Sequence, residues 1–219
     1  MIRVARLVAG KDLRLEARSG VLATQVLPFG VMALVLAGLA LGPRRAGHSG
    51  AAPGLFYLVV LLVTLLAVAR SQAVERTVGT RASVATLGLD PAGVFLGKTA
   101  ALGLELIVLG VVLEMLAVVT LHVALAGALV ALPSVVATLV ALAAAGTLYG
   151  ALAGEGAGTV TLLPVLALPA FAPLLIAGER AFSAALSHQS EARWWLITLV
   201  ALAAYLAVGV LAYGVLEDV

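Results

Sequence analysis

Long apolar runs alternate with short polar segments along this chain of 219 residues. A helix rises about 1.5 Å per residue, so about 20 apolar residues cross the roughly 30 Å hydrocarbon core of a bilayer. Because lipid offers the backbone no hydrogen-bond partners, each run has to be helical. The pattern therefore predicts six spans, at about residues 21–41, 53–69, 96–119, 126–153, 158–178 and 194–216.

Composition indicates that the bilayer is the solvent of this protein. Hydrophobic residues make up 63% of the chain and charged residues 11%, against about 45–50% and about 25% in soluble domains. No polar stretch is long enough to fold separately, so we expect one transmembrane domain, 1–219, of the all-α class. The absence of cysteine excludes disulfides and thiolate metal sites.

The distribution of basic residues predicts the orientation in the membrane. Five Lys or Arg precede the first span and four lie in or next to the second connection, all on the N-terminal side. The opposite side carries four. Connections rich in Lys and Arg stay in the cytoplasm, so both termini are predicted to be cytoplasmic.

Residues 1–18 are predicted to form an amphipathic helix on the membrane surface. At about 100° per residue, the five basic residues fall within an arc of about 140°. Val8 and Leu15 fall mostly on the opposite side, although Asp12 and Glu16 fall there too. The alternative is a solvated basic tail, and the interfacial helix is favoured.

Two polar connections are long enough to carry structure of their own. Residues 70–98 contain Asp90 followed by Pro91, which indicates a helix start, because Asp caps free N–H groups and Pro suits the first helical position. The third helix is thus expected to begin outside the hydrocarbon. Residues 179–193 are predicted to form a short amphipathic excursion on the outer face.

A ladder of glycines ends the fourth span. The spacing of four residues places them on one helix face, where the missing side chains let another helix come close. We therefore expect close helix packing, with a flexible, weakly helical end as the alternative. The ladder consists of Gly146, Gly150, Gly154 and Gly158.

Three prolines interrupt the fifth span at Pro164, Pro169 and Pro173. Each removes a helical hydrogen bond and crowds the carbonyl four residues earlier, so this helix is expected to be kinked or broken. Such a helix is either a moving element that lines a pathway or a static kink, and the sequence favours neither.

Two carboxylates, Glu105 and Glu114, lie inside the third span. Charged residues are costly there and often functional. Nine residues separate them, so they point to opposite faces and do not form a pair. A transport role is one interpretation, and a carboxyl at a helix interface is the other.

No other part of the sequence predicts chemistry. Phe95–Thr99 ends in Gly-Lys-Thr, but Ala92 takes the place of the glycine that a phosphate-binding loop requires. The histidines, His48, His122 and His188, are scattered over outer connections and are interpreted as solvated residues rather than metal or haem ligands. We therefore expect neither an enzyme nor a nucleic-acid-binding protein.

Three stretches resemble the CcmB family, the haem exporter permease subunit of cytochrome c maturation. They are Lys11–Arg18, Leu65–Lys98 and Pro164–Ala177. The second is similar to the cytoplasmic connection of type-two ABC exporter permeases, and the length and number of spans agree over the whole chain. The residues that carry this similarity are Glu75, Arg76, Gly79, Thr80, Leu87, Pro91, Gly97 and Lys98. Those that it assigns to ATPase coupling are Glu75, Arg76, Gly79, Thr80, Arg81 and Leu87.

The resemblance implies a location in the bacterial inner membrane and several partners. They are a CcmA-like ATPase that docks on the second connection, a CcmC-like haem-handling subunit and a small CcmD-like subunit. Haem would be handled or transported by the complex. No haem ligand is assigned to this chain, because ligation in the family belongs mainly to the C subunit.

Three rival functions remain open at this point. A permease of the same architecture could export a drug, a lipid or a glycan. A membrane scaffold would need no ATPase partner. A secondary transporter ranks lowest, because it requires paired polar residues near the middle of the membrane, and only Glu105 and Glu114 are available.

Overall fold

The computed structural model describes residues 1–42, 50–78, 90–153 and 159–217, and every regular element in these ranges is a helix. Six of the helices are long and apolar enough to cross a membrane. The predicted all-α, six-span fold is therefore confirmed. In chain order the elements are α1 (Ile2–Ser19), a π-helical turn (Leu22–Val26), α2 (Leu27–Leu41), α3 (Ala51–Val78), α4 (Pro91–Thr120), α5 (Leu125–Leu152), α6 (Thr159–Leu186) and α7 (Ala192–Glu217).

Helix α5 forms the centre of the bundle, in contact with α3, α4, α6 and α7. Every residue from 141 to 148 is buried, so no side of the helix faces lipid there. Ala and Gly dominate this stretch, and their small size lets neighbouring helices approach from all directions. A helix that is apolar all round is expected at the core of a large bundle, and α5 fits that description.

Helix α1 packs lengthwise against the first half of α4. A Cβ added to Gly93 would lie 2.9 Å from the Val4 Cβ, and one added to Gly97 would lie 2.7 Å from the Val8 Cβ. Residue numbers rise together along both helices, so they run parallel. Val4 and Val8 of α1 thus pack against α4, whereas Ile2 and Leu7 are exposed.

The predicted N-terminal helix is present at residues 2–19. Its basic residues Arg3, Arg6, Arg14 and Arg18 are exposed. They lie on the side of α1 that faces away from α4. The amphipathic character of this helix and its contact with the membrane surface stay predictions, and Val8, which was expected to face lipid, packs on α4.

A tight junction connects α1 to the first span. Gly20 ends α1 in the left-handed conformation, with φ of 62°, which costs glycine little. The Glu16 carboxylate then accepts a 2.5 Å hydrogen bond from the N–H of Leu22. The π-helical turn that follows widens the helix around Thr24, the residue four before Pro28, and so accommodates the proline ring.

Helix α4 begins at Pro91, as the Asp90-Pro91 pair predicts. Asp90 is the N-cap residue, but its side chain makes no capping hydrogen bond. Its carboxylate instead lies 3.1 Å from the amino group of Met1. The start of α1 is thereby joined to the start of α4, which corrects the expected role of Asp90.

Two helices extend farther into polar sequence than hydropathy predicts. Helix α3 continues from the predicted end at 69 to Val78. Helix α6 continues from 178 to Leu186, so most of the predicted excursion 179–193 is helix, and only residues 187–191 turn before α7. The helical hydrogen bonds lie within the backbone of the helix itself, so the helix can continue beyond the apolar layer.

Helix α6 is continuous through Pro164, Pro169 and Pro173, so the predicted break does not occur. The Tyr205 hydroxyl on α7 donates a 2.8 Å hydrogen bond to the carbonyl of Ala170, three residues before Pro173. A neighbouring helix thus supplies a hydrogen bond in the region where proline weakens the helix's own ladder. A kink at these prolines stays a prediction.

Replacing Gly97 by Ala tests the contact between α1 and α4. The new Cβ would meet the Ala5 carbonyl oxygen and the Val8 Cβ at 2.7 Å, so α1 has to move. We expect Gly97→Ala to lower the free energy of unfolding by about 1–3 kcal/mol. Thermal unfolding in detergent measures the effect.

Gly54→Ala is the matched control, because nothing lies within 4 Å of its Cβ position in α3. It should be neutral or stabilising by up to about 1 kcal/mol. Equal effects at the two glycines would contradict the proposed packing of α1.

Candidate functional site: the C-terminal end of α3 and the polar interior

Helix α3 carries the start of the predicted coupling segment. Glu75 and Arg76 belong to its last turn, and not to a separate short helix after it. Gly79, Thr80, Arg81 and Leu87 lie outside the described residues. The 28 residues of α3 span about 42 Å, which exceeds the roughly 30 Å of hydrocarbon. One end of α3 therefore extends beyond the apolar layer.

The last turns of α3 pack against the glycines of α5. A Cβ added to Gly146 would lie 2.7 Å from a methyl group of Val68, and one added to Gly150 would lie 2.6 Å from the Gln72 amide nitrogen. Gly154 lies outside the described residues. The segment that leads into the predicted coupling region thus contacts the central helix directly.

A small polar cavity of about 40 Å³ lies where α1, α3 and α4 meet. Three carboxylates and one guanidinium line this cavity. One of the carboxylates, Glu16, also accepts the hydrogen bond from the N–H of Leu22. Asp12 is paired with Lys11 at 2.9 Å. The charged residues of the lining are Asp12, Glu16, Arg70 and Glu105.

Glu105 and Glu114 occupy different surroundings, as their spacing predicts. Glu105 is half-buried and borders the polar cavity. Glu114 is 0% exposed and neither of its carboxylate oxygens has a hydrogen-bond partner. The two carboxylates are therefore separate features and form no pair.

Two side chains of α3 also have buried hydrogen-bonding groups that are unused. The hydroxyls of Tyr57 and Thr64, both on α3, are buried without a hydrogen-bond partner. The Tyr57 hydroxyl interacts electrostatically with Glu114 and lies beside Thr138 of α5, without reaching hydrogen-bond geometry. A buried polar group left without a partner costs roughly 1–3 kcal/mol. We call Tyr57, Thr64 and Glu114 the interior polar cluster.

Aromatic side chains cover the interior polar cluster at the end of the bundle where α3 starts. The Phe56 ring lies 5.3 Å from the rings of both Tyr57 and Phe182. A Cβ at Gly178 of α6 would lie 2.7 Å from the Tyr57 hydroxyl oxygen. Tyr57 therefore fits into a notch that only glycine leaves open.

The described histidines lie on turns at one end of the bundle. His122 and His188 are exposed, and both have a φ of 54°. His48 falls outside the described residues. Within the described ranges, no three His, Cys, Asp or Glu side chains are grouped so that they could hold a metal ion.

Comparison with known families decides the identity of this architecture. The CcmB protein family matches residues 3–215, almost the whole chain. The chain belongs to the CcmB family. No individual curated protein matches it. Its family makes it a multi-pass membrane protein and a permease subunit of the haem-exporting ABC transporter of cytochrome c biogenesis.

Sequence reasoning missed two members of the interior polar cluster in this CcmB protein. Tyr57 and Thr64 are seven residues apart, which places both on one face of α3. That spacing was a usable signal. It did not show that Glu114 of α4 lies opposite the same face, because only the packing of the two helices brings them together.

Glu114→Leu tests the energetic cost of the buried carboxyl. An apolar side chain of similar size leaves no unused oxygen, so we expect the free energy of unfolding to rise by about 1–3 kcal/mol. Leu113→Ala, at a neighbouring buried position that is 1% exposed, should lower it by about 2–5 kcal/mol. A destabilised Glu114→Leu protein would show that the carboxyl has a partner that stabilises the fold.

Proposed function

We propose that this chain is the membrane permease through which a separate ATPase drives haem export or haem release for cytochrome c maturation. The match to the CcmB family over residues 3–215 is the observation that supports this most directly. The proposed partners are a CcmA-like ATPase, a CcmC-like haem-handling subunit and a small CcmD-like subunit. The chain lies in a bacterial inner membrane with both termini in the cytoplasm.

The ATPase is proposed to act on the connection that follows α3. Helix α3 leads into it without interruption through Glu75 and Arg76. The same helix contacts α5 at Gly146 and α6 at Gly178. A displacement of its cytoplasmic end would therefore reach the central helix and the proline-containing helix together. Rigid helices whose packing has two discrete arrangements are suitable for such transmission.

The basic side of α1 supports the proposed orientation. Arg14 and Arg18 lie within two turns of Gly20, where α1 ends and the first span follows. These exposed cations would lie at the level of the lipid headgroups on the cytoplasmic side, in agreement with the charge distribution of the connections. The CcmA-like ATPase would approach from this side.

Charge reversal at Arg76 and Arg81 tests the coupling proposal. The Arg76→Glu/Arg81→Glu protein should retain its folded bundle but recover at most about one-tenth of the ATPase that copurifies with the natural chain, because long-range attraction and close pairing both change sign. Quantitative mass spectrometry of the affinity-purified chain measures the ratio. Helix content by circular dichroism monitors the bundle.

Arg3→Glu/Arg6→Glu is the matched control, since it makes the same charge change on exposed residues of α1. Recovery of the ATPase should stay near that of the natural chain in this control. Full ATPase recovery with the Arg76 and Arg81 variant would contradict docking at the second connection. An equal loss in both variants would indicate a general effect of charge.

A further inference from the structure

The interior polar cluster contains two hydroxyl groups and two carboxylate oxygens that make no hydrogen bond. Tyr57 and Thr64 each offer one hydroxyl hydrogen from α3, and Glu114 offers two oxygens from α4. All three residues lie inside the bundle, with exposures of 3%, 0% and 0%. Val63 and Leu113, the chain neighbours of Thr64 and Glu114, both approach one glycine of α2, at 2.8 and 3.3 Å from its Cβ position, so α3 and α4 meet at this level. The interior of the bundle therefore contains a polar lining formed by α3 and α4.

Most other buried serine and threonine hydroxyls in the described helices donate a hydrogen bond. Ser134, Thr138 and Thr147 each donate to a carbonyl of their own helix, at 2.7, 2.9 and 2.9 Å. Thr99 is also unpaired, but it lies 15 residues from Glu114 along α4, about 22 Å away. Unused polar groups are thus concentrated between α3 and α4, in one part of the bundle.

Tyr57 and Glu114 lie near the same end of the bundle, and Thr64 lies about two turns deeper, in the middle of α3. Tyr57 follows the first residue of α3, Ala51, by six positions, and Glu114 precedes the last residue of α4, Thr120, by six positions. Each is therefore about 9 Å from its helix end. In the orientation proposed above, that end faces the outside of the inner membrane.

We propose that Tyr57, Thr64 and Glu114 line a gap that opens to water from the outer face, between α3 and the α4–α5 pair, when the permease changes state. This inference rests on the proposed function. In the closed arrangement the polar groups are sealed and unpaired. Water in the open gap would pair all of them, so the cluster favours opening, while apolar packing favours closure.

The aromatic contacts between α3 and α6 have to separate before the gap can open. Tyr57 lies in the notch of Gly178, and Phe56 contacts Phe182, both on α6. These contacts are apolar and have no hydrogen bond across them in the described structure. Movement of α6 away from the start of α3 would break them together and expose the cluster from one side.

Absence of cysteine from the natural chain allows a direct test. Thr64→Cys introduces the single thiol of the protein at a position that is 0% exposed. Spheroplasts that contain the complete complex are treated with a membrane-impermeant maleimide, with and without depletion of ATP. We expect the Thr64→Cys protein to be labelled at least tenfold faster in energised cells than in depleted ones.

Thr147→Cys is the matched control, because Thr147 is also a buried threonine but lies near the opposite end of α5. It should remain unlabelled in both conditions. Ser187→Cys, on an exposed turn, should be labelled at once and reports that the reagent is active on the outer side. Threonine and cysteine are nearly equal in size, and elution on size exclusion checks that each variant folds.

Addition of Glu114→Leu to Thr64→Cys tests the contribution of the carboxyl. Labelling should then slow towards the Thr147→Cys rate, because the cluster no longer favours the hydrated state. Labelling of Thr64→Cys at the Thr147→Cys rate in energised cells would overturn the inference. If the labelling rate is unchanged after Glu114→Leu, the Glu114 carboxyl does not contribute to opening of the gap.

Failure of the inference is distinguishable from failure of the proposed function. The same preparations show by copurification whether an ATPase accompanies the chain. An unlabelled Thr64→Cys protein that still copurifies with the ATPase overturns the gap and leaves the proposed function intact. Labelling that does not depend on ATP, in a chain without an ATPase, supports an opening interior and contradicts the proposed function.

Discussion

Glycine at the contact points between helices is the constraint on which this bundle depends. Lipid is as apolar as a leucine side chain, so burial of apolar surface does little to hold membrane helices together, and close van der Waals fit has to do it. Val8 fits against Gly97, Val68 against Gly146, and Tyr57 against Gly178. Each pair joins a different set of helices, so the positions of the glycines determine which helices are neighbours and how closely they approach.

Helix α3 links the two functional regions that this packing produces. Its C-terminal end carries Glu75 and Arg76 towards the proposed ATPase surface, and its N-terminal part carries Tyr57 in the polar interior. Between them it lies against α5, which has no face in lipid over residues 141–148. A helix that is continuous over this length connects an energy source on one side of the membrane with a proposed opening on the other.

Hydropathy was sufficient to predict six helices because lipid forces every apolar run to pair its own backbone, and the Asp90-Pro91 pair located the start of α4. It failed at the ends, since α3 and α6 continue into polar sequence where lipid no longer constrains the chain. Periodicity predicted an N-terminal helix, and α1 is present, but the pattern could not distinguish protein from lipid as the partner of Val8. The interior polar cluster depends on contact between two helices, which a pattern along one helix does not encode.

Identification of the proteins that accompany the chain tests the central claim most directly. A tagged copy would be purified in mild detergent from its own host, and its partners would be identified by mass spectrometry. The account predicts an ABC ATPase together with a haem-handling membrane subunit. An ATPase without a haem-handling subunit would leave a permease for another substrate, such as a drug, a lipid or a glycan. An intact preparation without any ATPase would contradict the account and indicate a membrane scaffold.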